Sequence, residues 1–274
     1  SQSTLSAVRT SNIEQLEDRR LLAGAATEAI NAFAFDVYDN LQREQGNLFF
    51  SPLSLSTALG MTYAGARGNT ATQLGTVANF GSTPGIHEAF QSLYASYAPF
   101  ATSVGGGPQM RFANALWRDD QLPVNQEYAT LIQNNYRASV QTVDFGNPTQ
   151  AESTINQWVA QRTNQLIPQL VKDLSSDTAF VLTNALEFKA SWADAFDANS
   201  TTAAPFTRKD GTTLNVSMMK QDVASAHFKV QRLGDFVVAD MPLAGGTNGA
   251  NMSFVVAQSV SADSPDVMTR DVYG

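Results

Sequence analysis

The sequence has no cysteine, only two histidines and no apolar run long enough to cross a membrane. Without cysteine there are no disulfides, no thiol nucleophile and no cysteine-ligated metal. Without a long apolar run, no integral membrane segment is expected. Basic residues are also scarce, since 17 Lys and Arg stand against 25 Asp and Glu and give a net charge of −8. This balance argues against nucleic acid and anionic membrane surfaces as main partners.

Motifs for catalysis or cofactor binding are missing as well. There is no Gly-x-Ser-x-Gly elbow, and the glycines at 105–107 precede a proline rather than a helix with Lys-Ser/Thr, so a phosphate cradle is not expected. His87 and His227 are interpreted as ordinary surface or core residues, and Ser51, which precedes Pro52, as a helix cap rather than a nucleophile. We therefore predict no catalytic residue, no cofactor and no metal, and no enzymatic activity.

The 274 residues, 43% of them hydrophobic, are sufficient for one large domain or two small ones. Residues 1–26 differ in kind from the rest because they are polar. Their stretch IEQLEDRRLLAGA resembles the LEPR-xLL-type N-terminal signature of secreted or surface proteins of planctomycete-like bacteria. We predict either a targeting segment or a disordered tail, and the first alternative implies an extracellular or cell-surface bacterial protein.

Helices are predicted first along the chain. Thr27 is the expected N-cap of an amphipathic helix whose apolar face repeats at helical spacing: Ile30, Phe33, Ala34, Val37, Tyr38 and Leu41. Ser51 and Pro52 predict the start of a second helix that ends near Gly65 and Gly68. The spacing from Thr70 to Gln73 is that of a capping box and predicts a third helix.

The second helix is unusual because hydroxyl and small residues crowd an apolar segment, namely Ser51, Ser54, Ser56, Thr57, Ala58, Gly60 and Thr62. Small residues allow another element to approach the backbone closely. The hydroxyls either bond back to carbonyls one turn earlier or point into a core where polar partners from a sheet meet them. The residues alone leave both alternatives open.

Strands follow the helices. Residues 110–119 alternate with Phe112, Asn114 and Leu116 on one face, and residues 178–192 predict a long strand with an apolar row of Phe180, Leu182, Asn184, Leu186 and Phe188. A buried amide at Asn184 requires hydrogen-bond partners, because an unpaired one costs about 1–3 kcal/mol. Residues 236–243 and 251–258 read as a hairpin around the glycine-rich turn AGGTNGA. The pattern predicts an α+β fold with more than one sheet.

These segments carry a family resemblance. Residues 47–74 resemble the helix-B signature of the serpin family, with matches at Asn47, Ser51, Pro52, Ser54, Ala58, Leu59, Gly65, Ala66, Gly68, Thr70 and Gln73. FANALW resembles strand 2A, INQWVAQRTNQLI resembles helix F, and LTNALEFKASWADAF resembles strand 3A, although Ala190 stands where the family usually has glycine. The resemblance extends from Thr27 to about Gln258, and nothing after Val260 resembles the family's C-terminal part.

The resemblance implies a serpin-like α+β fold, with helices packed around multiple, mainly antiparallel sheets. Residues 27–274 would form the N-terminal and central part of a single serpin domain, without the C-terminal strands and the reactive-centre loop. It also implies conformational sites. Ser51 and Ser54 would meet Asn184 at the shutter, where the main sheet opens, and Trp192 would lie in the breach. The family's fourth shutter residue, a histidine on a later strand, has no counterpart here.

The resemblance implies inhibition of a target serine protease, or of a cysteine protease, by the monomeric full-length protein. The protease cleaves the exposed loop, and the loop then inserts into the main sheet as an extra strand. The alternative is a non-inhibitory serpin that acts as a binding, carrier or chaperone-like protein. Residues 1–274 alone are expected to inhibit no protease and to be poorly stable or prone to association.

Overall fold

The computed structural model describes residues 23–44, 46–101, 107–208, 210–220, 229–233, 236–245 and 251–257. The chain divides into two compact units. Unit 1 comprises residues 1–101 and 110–187, and unit 2 comprises residues 102–109 and 188–274. The predicted tail falls largely on residues 1–22, outside the described residues, and the single domain over residues 27–274 stays a prediction.

Six α-helices are found in the described part of the chain, all of them in unit 1. They are α1 (residues 23–41), α2 (Pro52–Gly65), α3 (Gly68–Val77), α4 (Ile86–Ser96), α5 (Gln126–Tyr136) and α6 (Pro148–Arg162). Side chains fix several of their starts. The Ser51 hydroxyl accepts the backbone N–H of Ser54 at 3.2 Å, and Asn147 caps α6 ahead of a proline in the same way. The predicted start of α2 is therefore confirmed.

Two predicted helix starts were wrong. Helix α1 already runs from residue 23, and Thr27 lies inside it, where its hydroxyl donates to the carbonyl of Ala23 at 2.9 Å. Helix α3 starts at Gly68 after Arg67, not at the capping box that Thr70 suggested. In both cases the helix continues toward the N-terminus past the residue with the best capping side chain, because hydroxyl residues can also bond back inside a helix.

The sheet of unit 1 is built on β2 (Ala115–Asp119), which lies between β3 (Ser139–Val143), parallel to it, and β4 (Phe180–Thr183), antiparallel to it. Strands β1 (Gln109–Phe112) and β5 (Leu186–Lys189) form a two-stranded sheet. Mutual backbone bonds of 2.8 and 3.1 Å between Ala113 and Ala185 continue the register of the β2–β4 pair. The long strand predicted over residues 178–192 is thus two short strands, β4 and β5.

Unit 2 contains only antiparallel pairs among its described strands. Strands β6 (Thr202–Thr207) and β7 (Thr213–Met218) pair with each other, and β9 (Phe236–Pro242) lies between β8 (Lys229–Leu233) and β10 (Asn251–Ala257). The predicted hairpin around AGGTNGA is confirmed, with Asn251 opposite Pro242 and Ala257 opposite Phe236. Together, the helices and several mainly antiparallel sheets confirm the α+β class.

Unit 1 has an apolar cluster on each face of its sheet. Leu116 belongs to the cluster formed with α1, α2, α4 and α5, whereas its neighbours Ala115 and Trp117 belong to the cluster formed with α6. Successive residues of a strand point to opposite faces, so one strand joins two cores. The apolar row predicted around Asn184 is buried only in part, since Phe180 is 61% exposed, whereas Thr183 and Ala185 on the opposite face are buried.

Candidate functional site

The hydroxyls at the start of α2 serve the helix itself. Ser51 and Ser54 are half-buried, and the bond that they share is the N-cap bond. In the described residues neither hydroxyl makes a hydrogen bond to the sheet. Their predicted meeting with Asn184 is therefore not a direct hydrogen bond in this structure.

One turn later, Thr57 begins a chain of buried polar contacts that does reach the sheet. Its hydroxyl lies 2.9 Å from the hydroxyl of Tyr94 on α4. Asn114, between β1 and β2, donates from Nδ2 to the Tyr94 hydroxyl at 3.1 Å. Asn184, between β4 and β5, donates from Nδ2 to Oδ1 of Asn114 at 2.7 Å. Helix α2 is thus connected to the end of β4 through four side chains.

The register explains why the two asparagines meet. Ala113 pairs with Ala185 and Ala115 with Thr183, so Asn114 lies directly opposite Asn184. Asn114 is 2% exposed and uses its whole amide, because Nδ2 also donates to the carbonyl of Tyr136 at 2.8 Å. Asn114 was expected on an apolar row, but its pairing with Asn184 was not predicted. The sequence feature that could have indicated this pairing is the Asn-Ala-Leu triplet, which occurs both at residues 114–116 and at residues 184–186.

Burial also changes the pKa values of the two tyrosines at this site and of the histidine beside them. Burial raises the pKa of Tyr94 to about 12, although hydrogen bonds with Thr57 and Asn114 oppose the shift. Burial likewise raises the pKa of Tyr136, whose hydroxyl lies 2.6 Å from Nδ1 of His87. Burial lowers the pKa of His87, and the nearby Glu88 opposes this shift. Both phenols are therefore neutral at physiological pH and can donate hydrogen bonds.

Two polar atoms of the site are buried without a hydrogen-bond partner among the described residues. One is Oγ of Ser56 on α2, and the other is Oδ1 of Asn184. The Asn184 side chain is thus half satisfied, with its amide nitrogen paired and its oxygen unpaired. An unpaired buried acceptor destabilises the arrangement by about 1–3 kcal/mol. The sequence predicted that the amide of Asn184 needs hydrogen-bond partners, and in the structure only its nitrogen has one.

The opposite face of the same strands has polar contacts of its own. Trp117 on β2 donates from Nε1 to the Thr183 hydroxyl at 3.0 Å, and its ring lies edge-on to Trp158 on α6, with 5.4 Å between centroids. The buried carboxylate of Glu187 faces Arg111 at 3.4 Å. Its second oxygen, Oε1, is buried without a hydrogen-bond partner among the described residues, so both faces of these strands carry an unpaired acceptor.

Trp192, the residue predicted for the breach, lies in unit 2. It forms an isolated β-bridge with Leu243, and its ring packs near Phe196 and Phe254 at centroid distances of 6.3 and 6.1 Å. The side chain is half-buried. Its role in a breach stays a prediction.

The described residues contain no group of three or more His, Cys, Asp or Glu side chains arranged to hold a metal ion. In the same part of the chain, no helix combines the length and the apolar character needed to span a bilayer.

Comparisons with known proteins give one family. The profile described as "Serpin (serine protease inhibitor)" matches residues 28–268, slightly beyond the end at about Gln258 that was expected from the sequence. An uncharacterised serpin-like protein of Thermococcus kodakarensis is 37% identical over 203 residues, which are 73% of this chain and 47% of the relative. Leukocyte elastase inhibitor A of Rattus norvegicus is 35% identical over 227 residues, which are 80% of this chain and 58% of the relative.

Solved structures show the same similarity. Ovalbumin from the emu, Dromaius novaehollandiae, matches with a TM-score of 0.77 and 27% identity, over 87% of this chain and 64% of that protein. The chain spans about half the length of the curated relatives it matches.

Proposed function

Because the chain belongs to the serpin family, we propose that the full-length protein inhibits a target serine protease, or a cysteine protease, as a one-use substrate. The target attacks an exposed loop and forms an acyl-enzyme, and the cleaved loop then enters the main sheet as an extra strand. The inhibitor contributes no catalytic group of its own. The similarity to a leukocyte elastase inhibitor supports this activity.

The observation that carries the proposal is the half-satisfied amide of Asn184. A sheet that opens must exchange the partners of its buried polar groups, and Asn184 has its nitrogen paired with Asn114 and its oxygen unpaired. We assign the shutter to Asn184 together with Ser51 and Ser54, which contribute by holding the N-terminal end of α2 through their cap bond rather than by bonding Asn184 directly. Thr57, Tyr94 and Asn114 extend that shutter from α2 to the sheet.

The edge of the sheet in unit 1 supports the same proposal. The strand order is β3–β2–β4, so β4 has a hydrogen-bonded neighbour on one side only among the described strands. A free edge presents unpaired N–H and C=O groups that an added strand can bind. Trp192 is assigned to the breach, where insertion would begin.

The location and assembly state belong to the proposal too. The targeting-like N-terminal residues support an extracellular or cell-surface inhibitor, and the full-length protein is expected to be a monomer.

The test is incubation of the full-length protein with trypsin-like, chymotrypsin-like and subtilisin-like proteases. A covalent complex that survives SDS electrophoresis is expected with at least one of them. If every protease either ignores the protein or degrades it without a complex, the protein is a non-inhibitory binding or carrier serpin.

A second measurement tests the shutter separately. Asn184→Ala should increase the amount of inhibitor that is cleaved without forming a complex, because it removes the amide that bonds Asn114. The control is Asn199→Ala, at an exposed residue of a short 3-10 helix. Equal stoichiometry of inhibition for both variants would contradict the shutter assignment.

A further inference from the structure

A cavity of unit 1 lies near the C-terminal ends of α4, α5 and α6. It has a volume of about 320 Å³, and three arginines line it, namely Arg111 on β1, Arg137 after α5 and Arg162 at the end of α6. No acidic side chain of the described residues lines the cavity. This local excess of positive charge stands out in a chain whose net charge is −8.

We propose that this cavity binds a small organic anion with a flat apolar body, such as an aryl sulfonate or aryl carboxylate. The volume lies at the lower end of the range of pockets that hold small molecules. A guanidinium suits the oxygen atoms of carboxylate, sulfonate or phosphate groups because it presents several donors in one plane. The inference does not depend on the proposed inhibitory function.

Two of the three guanidinium groups are available for a ligand. Within the described residues, Arg137 and Arg162 make no ion pair and no side-chain hydrogen bond. Arg162 instead lies over the ring of Trp158, with 4.8 Å from Cζ to the ring centroid, which orients it without using its donors. Arg111 is partly neutralised by Glu187, whose Oε2 lies 3.4 Å from Nη1.

Helix dipoles give an alternative reason for a cation after α5 and at the end of α6, because helix C-termini carry about half a negative charge each. Helix dipoles do not explain the third arginine of the cavity, because Arg111 lies on strand β1 and not at a helix end. They also leave the balance positive, since three arginines outweigh three half charges and the Glu187 carboxylate by about half a charge. The cavity therefore remains attractive to a monoanion.

Arg137 also has an unfavourable backbone conformation. Its φ is 52°, in the left-handed region where glycine usually ends a helix. The turn itself therefore favours glycine over a long side chain, although the helix dipole favours a cation. A ligand for the guanidinium gives a second reason for arginine at this position.

The other wall of the cavity supplies the apolar surface. Tyr97 and Phe112 stack at 5.9 Å between centroids with 27° between their planes, and Met110 extends the wall. Burial raises the pKa of Tyr97, so its phenol stays neutral and does not repel an anion. A flat ring can lie on this wall while its anionic group faces the arginines.

The experiment is calorimetric titration of the full chain with 2-naphthalenesulfonate. Two control ligands test separately whether the negative charge and the apolar ring are needed for binding. The first, 2-naphthalenesulfonamide, has the ring without the charge, and the second, sodium sulfate, has the charge without the ring. We expect one site for the sulfonate and at least about tenfold weaker binding of either control ligand. The sulfonamide loses the charged hydrogen bond, and sulfate loses the burial of the apolar ring. Equal binding of either control ligand overturns the proposal.

The variants are Arg137→Gly and Arg162→Gln, with Arg43→Gln as the charge-matched control outside the cavity. Arg137→Gly removes the guanidinium and relieves the left-handed backbone, so its thermal unfolding should occur at the same or a higher temperature. Both cavity variants should weaken sulfonate binding about tenfold, and the control should leave it unchanged. Identical affinity for all variants would mean that the ligand binds other apolar surface, and this result too overturns the proposal.

Discussion

The N-terminal end and the second turn of α2 both carry hydroxyl side chains, but they use them differently. At the N-terminal end, Ser51 bonds the backbone of Ser54, three residues away, and both are half-buried. In the second turn, Ser56 and Thr57 are fully buried, and Thr57 contacts Tyr94, 37 residues further along the chain. The first arrangement stabilises a helix start, whereas the second connects the helix to a sheet. Substitutions should therefore have small, local effects at one end and large, coupled effects at the other.

The largest effect is expected at Asn114, the centre of the long-range network. Asn114→Ala removes its bonds to Tyr94, Tyr136 and Asn184 from a buried position, so the free energy of unfolding should fall by about 3 kcal/mol or more. Urea denaturation measures the loss. In a double-mutant cycle with Asn184→Ala, the double variant should lose less than the sum of the singles. The parallel cycle of Ser54→Ala with Asn184→Ala should be nearly additive, and the reverse order of the two coupling energies would contradict this assignment.

The next effect tests how closely α2 must pack. A Cβ at Gly60 would lie 2.7 Å from the ring of Tyr136, which is fully buried. We expect Gly60→Ala to lower the unfolding free energy by about 1–3 kcal/mol, because a stiff ring in a packed core cannot move aside. The matched control is Gly24→Ala in α1, where nothing lies within 4 Å of the new Cβ. That variant should be more stable by up to about 1 kcal/mol.

Thr57→Val tests the hydrogen bond between the Thr57 hydroxyl on α2 and the Tyr94 hydroxyl on α4. The Tyr94 hydroxyl already accepts from Asn114, so the loss of Thr57 would leave its proton without an acceptor and cost about 1–2 kcal/mol. Ser56→Ala is the neighbouring control, because the Ser56 hydroxyl is buried without a partner among the described residues. Its removal should be neutral or stabilising in the same denaturation experiment. A larger loss for Ser56→Ala than for Thr57→Val would be inconsistent with the observed network.

Ser51→Ala tests the local arrangement and should cost about 1 kcal/mol through loss of the N-cap bond. Ser51→Asp should restore most of this stability, because aspartate caps equally well. Thermal unfolding followed by circular dichroism measures both. If Ser51→Asp were as unstable as Ser51→Ala, the hydroxyl would have a role beyond capping.

The smallest expected effect is a pH dependence of the unfolding free energy that comes from His87, the residue beside the Tyr136 hydroxyl. Burial lowers the pKa of His87 below its ordinary value of 6.5, so the unfolded chain binds a proton more readily than the folded chain. Stability from this residue is therefore present above about pH 6.5 and decreases as the pH falls through the folded-state pKa. Urea denaturation between about pH 5 and 8 should show a shallower slope of stability against pH for His87→Gln than for the parent. An exposed residue outside the network provides the control, and Asn199→Gln should keep the parental slope.

The comparison within α2 also separates what could be predicted from the sequence from what could not. The Ser51 cap was predicted because all of its atoms belong to four consecutive residues. The need for a partner at Asn184 was predicted from its apolar neighbours, but the partner was not. Asn114 was placed opposite Asn184 by a strand register that depends on the whole sheet. The partial exposure of Phe180 likewise depends on which elements cover it, and no local pattern contains that information.

The positions of the three tryptophans make the two units optically distinguishable. Trp117 and Trp158 lie edge-on at 5.4 Å in unit 1, whereas Trp192 lies among phenylalanines in unit 2. Electronic transitions of the close indole pair should couple and give an exciton band in the far-ultraviolet dichroism that Trp192 does not share. A Trp192→Phe protein would emit from unit 1 alone. Stopped-flow fluorescence of that protein would then record when the sheet carrying Asn184 forms, independently of the hairpins of unit 2.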